Sequence, residues 1–73
     1  MPEHTDWDAM AASTLKAELK RNGVTYSKLV EMLEAIGISE KEANVANKLS
    51  RGKFSAAFML QCLTAIGVTE VRL

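Results

Sequence analysis

The 73-residue chain lacks most of the groups that dedicated chemistry requires. It has one cysteine, Cys62, so no internal disulfide can staple it and a cysteine-framed secreted scaffold is excluded. His4 is the sole histidine, so no His/Cys set of the kind that cages zinc is present either. No apolar run approaches the roughly 20 residues that span a bilayer. The opening MPEHTDWD is acidic, without the basic start and apolar run of a secretory leader. Glycine-rich phosphate loops are absent, and one proline and four glycines leave long stretches free for helix. Charge of one sign is missing too, because nine Lys+Arg balance nine Asp+Glu. What remains is 48% hydrophobic and 25% charged, a globular composition in a chain that is one domain by length. A core this small must be efficient. These absences imply a soluble cytoplasmic domain with no cofactor, metal or membrane partner, which works by binding and is not an enzyme.

Punctuation divides the chain into four helical segments at about 5–22, 25–36, 39–50 and 55–66, each followed by a glycine at the position a left-handed C-cap favours. In the first, Trp7, Ala11, Leu15 and Leu19 form a four-apart stripe, Thr5 can cap the start, and Asp6 and Asp8 suit the positive end. The second opens on Thr25 as N-cap, with Val24 placed to staple on Leu29 and an apolar face of Tyr26, Leu29, Val30, Leu33 and Ile36. The third opens with Ser39 and Glu42 spaced as a capping box. The fourth starts at Phe54-Ser55, with Phe54 placed to staple on Met59. Its apolar face then carries Phe58, Met59, Cys62, Leu63 and Ile66.

The phrase MLEAIGIS at 32–39 is echoed by CLTAIGVT at 62–69. Two copies fall short of a solenoid. Both read as one kind of helix stop, in which glycine reverses the chain and the next apolar residue folds back. The tail at 69–73 either frays or serves as an edge in self-association. The expected fold is a compact all-α domain of four helices, or five if the tail continues.

The segments Thr25-Tyr26-Ser27-Lys28-Leu29, Gly37-Ile38-Ser39 and Asn47-Lys48-Leu49-Ser50-Arg51-Gly52-Lys53, followed by Leu60 to Val68, resemble the lambda-repressor-like (Cro-type) helix-turn-helix family. The likeness covers roughly residues 15–68. It is also similar to a group of short bacterial proteins sharing the NKLSRGKF and QCL.AIGV stretches, a likeness that brings relatives without an activity. The Cro-type resemblance implies a DNA-binding domain, a transcriptional regulator, with the third helix as reader. From Leu29 to the Arg-Gly pair, this sequence is about six residues longer than the family pattern, so the turn between helices two and three is lengthened. Such a motif works by laying its first helix across the backbone and aiming the second into the groove.

On the third helix, Asn44, Asn47, Lys48 and Arg51 share about a third of the circumference. Ala43, Ala46 and Leu49 make the packing seam, with Val45 at its edge. Asparagine suits the donor–acceptor pair of adenine, and arginine suits guanine or phosphate. Glu40 on that side would repel phosphate. The zero net charge is a cancellation: residues 1–14 carry −3, 15–28 carry +3, 29–42 carry −3 and 43–53 carry +3. In the arrangement the resemblance implies, Lys28, Lys48, Arg51 and Lys53 form a basic strip, joined by Lys20 or Arg21. Tyr26 and Ser27 then hold the backbone at the entrance of helix two. A solvated alternation of charge gives the same pattern.

Trp7 reads as core or a lid on the bundle, and Phe54 and Phe58 as staple and core. Cys62 reads as a small core residue, and Glu31 and Glu34 lack the pocket a catalytic pair needs. One copy offers few DNA contacts, so specific recognition of double-stranded DNA calls for a homodimer on paired half-sites, with Val68, Val71, Leu73 and Trp7 as contact candidates. The competing reading is a protein–protein interaction module that keeps the fold without binding DNA. Near-neutral charge, the longer turn and Glu40 favour it.

Overall fold

The computed structural model describes residues 6–73. Among them the chain is all-α, with α1 at Trp7–Arg21, α2 at Tyr26–Ala35, α3 at Glu42–Arg51 and α4 at Ala56–Ala65. Local side-chain chemistry sets three of the four starts. The Thr25 hydroxyl accepts from the Lys28 N–H at 3.1 Å, and the Ser55 hydroxyl accepts from the Phe58 N–H at 3.0 Å. At α1 the cap is Asp6, whose carboxylate accepts from the Ala9 N–H at 3.0 Å. Thr5, the cap expected from sequence, lies outside the described residues.

Three helices end in the same hydrogen-bonded reversal. Val24, Ile38 and Val68 donate back to the carbonyls of Leu19, Leu33 and Leu63, each at 2.9 Å, one residue past a glycine. The echoed phrases therefore make one stop twice. Their burial differs, since Ile66 enters the core and Ile36 is left exposed.

The helix at 39–50 begins later than its sequence suggests. Its N-cap is Lys41, no side chain caps it, and the Ser39–Glu42 box does not form. The reason lies on both flanks. Ile38 is held on the end of α2 by its bond to Leu33, and Glu40 is drawn onto Lys48, so the chain spends residues 36–41 crossing to α3.

Leu15 and Leu19 of α1, Leu29 and Leu33 of α2, Val45 and Leu49 of α3, and Phe58, Cys62 and Leu63 of α4 form one buried cluster with Ile66. Each buried side chain of this size contributes roughly 1.5–3 kcal/mol over exposure. Val24, Tyr26, Phe54, Val68 and Val71 pack on its margin. Phe54 meets Phe58 edge-on, with ring centroids 5.6 Å apart, where a staple to Met59 was expected. α3 packs on both α1 and α2, while α4 lies on α2 and more lightly on α1.

Trp7 is not in the core; it is 70% exposed. A four-residue step advances about 400° around a helix, so a four-apart stripe drifts about 40° per step. By that drift Trp7 sits about 120° from Leu19. The buried line on α1 is Ala12, Leu15 and Leu19.

Gly52 fixes how α3 meets α1. It has φ +69°, and a Cβ there would lie 2.4 Å from the Asp8 carbonyl oxygen. Lys53 then reaches the Asp8 carboxylate at 3.4 Å. At Gly37, with φ +85°, the space around a Cβ is open. Gly37→Ala is therefore expected to cost roughly 1–2 kcal/mol for the left-handed backbone alone. Gly52→Ala adds overpacking of about 1–3 kcal/mol more. Urea denaturation of the two variants measures the difference, and equal midpoints would contradict the Gly52–Asp8 contact.

Candidate nucleic-acid interface

The outward face of α3 follows from its buried one. Val45 and Leu49 are fully buried, with Ala46 and Lys48 half-buried on either flank. That leaves Ala43, Asn44, Asn47, Ser50 and Arg51 exposed on the opposite side. Val45 is thus the centre of the packing seam and not its edge, and Ala43 belongs to the surface. Asn44, Asn47 and Arg51 are brought together on one exposed face.

Lys48 is turned away from that face. Its Nζ lies 3.1 Å from Glu40 Oε2 and 4.3 Å from the centroid of the Phe58 ring. One ammonium therefore joins the α2–α3 turn, α3 and α4, and Glu40 is neutralised instead of facing outward alone. Lys53 is engaged with Asp8, and Arg21 with the buried carboxylate of Glu18. Of the expected basic strip, Arg51, Lys28 and Lys20 make no ion pair among the described residues.

Two grooves extend this surface onto α1. One, of about 280 Å³, lies between α1 and the end of α3 and is bordered by Ser13, Lys16, Ser50 and Arg51, with the capping Asp6 also on its wall. The other, of about 420 Å³, is bordered by Lys16, Lys20, Thr25 and Tyr26. Lys16 borders both, so exposed cations run from Arg51 through Lys16 to Lys20 and end beside the half-buried Tyr26 at the start of α2. Ser27 and Lys28 are exposed on the first turn of α2. Sequence reasoning did not single out Lys16. Its spacing of four from Lys20 was available, but only the packing of α1 on α3 brings it near Arg51.

The candidate dimer residues divide. Val68 and Val71 are half-buried against the core, whereas Trp7 and Leu73 line a common apolar groove with Met10, Ala11, Thr14 and Met59. Among the described residues no group of His, Cys, Asp and Glu could hold a metal, and no helix is long and apolar enough to cross a membrane.

Cys62 lies beneath the Lys48 bridge with none of its surface exposed. Burial, with the Glu40 carboxylate adding and Lys48 opposing, pushes its thiol up from 9.0 to about 11. Because the folded value is raised, the thiol's contribution to stability is present below the unfolded pKa and lost as pH climbs through that window. Wild type should therefore lose stability relative to Cys62→Ala between pH 9 and about 11, read as the gap between their urea midpoints. A gap that stays constant across the window would contradict the assignment.

Residues 7–71 match the model of a family described as Domain of unknown function (DUF6471). No curated protein and no solved structure matches the chain. The chain belongs to the DUF6471 family.

Proposed function

We propose that this member of the DUF6471 family is a small cytoplasmic DNA-binding domain, a transcriptional regulator of the lambda-repressor-like helix-turn-helix kind, that reads double-stranded DNA with α3. The observation that carries the reading is the exposed face of Asn44, Asn47 and Arg51, continued by Lys16 and Lys20 on α1. Each amide supplies the acceptor and donor that match adenine's N6 donor and N7 acceptor in the major groove. Arg51, Lys16, Lys20 and Lys28 meet phosphate, with Tyr26 and Ser27 at the helix-two entrance. Lys48 and Lys53 are given a lesser part than their sequence suggests, because each already faces a carboxylate. Glu40 supports the aim of α3 through Lys48, which braces the lengthened turn. Specific sites would take two copies.

A second reading, a protein–protein interaction module, draws support from the apolar groove beside Trp7 and Leu73. Salt separates the two. Binding to a mixed-sequence duplex at low salt should weaken with a log–log slope of roughly −3 to −4, since each neutralised phosphate contributes about −0.9. Arg51→Ala and Lys16→Ala should each reduce the slope by about 1, and Lys53→Ala by less. Absence of binding at low salt, read by fluorescence anisotropy of the labelled duplex, overturns the DNA reading.

A further inference from the structure

α1 carries two apolar stripes, and the core uses only one. The second, Trp7, Met10, Ala11 and Thr14, repeats with helical spacing and forms one wall of a groove of about 280 Å³. Met59 of α4 and Leu73 of the tail form the other wall. Trp7 is 70% exposed and Leu73 92%. Large apolar groups gathered at one place on a small surface mark a docking site.

The chemistry of α1 selects the occupant. Asp6 stands at its start and Arg21, beside Glu18 but with 64% of its side chain exposed, at its end, both on one flank of the stripe by helical geometry. Two α1 helices laid parallel would set acid against acid and base against base. Laid antiparallel about a two-fold axis at Thr14, each acidic end faces the basic end of the other copy, and Trp7 comes opposite Arg21 of the second copy. Helix α1 is thus complementary to itself, as a closed two-fold interface requires. Exposed charges of this kind set orientation more than strength.

The stripe is also ready to be covered. The Thr14 hydroxyl donates to the Met10 carbonyl at 2.8 Å, so burying it leaves no unpaired hydroxyl. Ala11, Thr14 and Ala17 are small enough for a second helix to approach closely. Lys16 lies about 180° around α1 from Trp7 by helical geometry, so a partner on the stripe leaves α3 and its cations uncovered. A standard interface takes roughly 800 Å² from each partner. The whole chain exposes 5255 Å², and one groove supplies only part of that area, so the pair is a weak one.

We propose that the face of Trp7, Met10, Ala11, Thr14, Met59 and Leu73 binds a second copy of this chain, α1 against α1, antiparallel about Thr14. This stands on α1 and its groove, whether or not α3 binds DNA.

Sedimentation velocity on the full chain, from micromolar to millimolar concentration, should show a reversible monomer–dimer equilibrium. Trp7→Glu alters an exposed side chain and should weaken association about tenfold or more, with circular dichroism unchanged. Thr14→Cys should yield a disulfide-linked dimer under mild oxidation. Trp7→Cys alone should not, but Trp7→Cys mixed with Arg21→Cys should. A wild-type chain that stays monomeric at millimolar concentration, or a Trp7→Glu variant that associates as tightly as wild type, overturns the proposal. A Trp7→Cys homodimer overturns the antiparallel arrangement. Duplex binding by Trp7→Glu reports on α3 separately.

Discussion

The end of α3 rests against the start of α1 through a contact that has no room for a side chain. Gly52 brings its Cα against the Asp8 carbonyl, and a single added carbon would fall well inside van der Waals distance of that oxygen. The junction of α1 and α3 on the candidate surface follows from this approach. It sets the last turn of α3 beside Ser13 and Lys16, draws Lys53 down onto Asp8, and lets Arg51 stand clear at the rim. A larger residue would hold the two helices apart and divide the run of cations between two separate helices.

Charge in this molecule is organised by engagement more than by number. Arg21, Lys48 and Lys53 each face a carboxylate, and in the case of Lys48 an aromatic ring as well. Of the three, only Lys53–Asp8 is exposed at both ends, and a pair of that kind adds little stability. The larger effect of all three is selective, because each sets a cation against a carboxylate and leaves Lys16, Lys20, Lys28, Lys41, Arg51 and Arg72 without an ion pair among the described residues. The zero net charge of the chain is therefore a poor guide to what a phosphate backbone would meet.

The fold was largely legible because it is written in local chemistry. Thr25 and Ser55 cap by their own hydroxyls, and Gly23, Gly37 and Gly67 take positive φ where the helices stop. Neither depends on distant residues. The misplacements share the opposite property. Ser39 and Glu42 have the spacing of a capping box, but Glu40 is claimed by Lys48 eight residues on, and no local rule shows that. Trp7 continues a four-apart pattern that a 3.6-residue helix carries out of the core. On the candidate site, the asparagines and Arg51 could be placed from helix geometry alone. The contribution of Lys16 and the withdrawal of Lys48 both required knowing which helices pack together.

The exposure of Trp7 has an optical consequence. It is the sole tryptophan in a chain with one tyrosine and two phenylalanines, so it dominates the intrinsic emission. With 70% of its surface already in water, unfolding changes its surroundings little, and the global transition is close to silent in that channel. The indole instead reports the local polarity at the first turn of α1. The protein thus contains a natural probe that is nearly blind to the core and sensitive to whatever displaces water from its own doorstep.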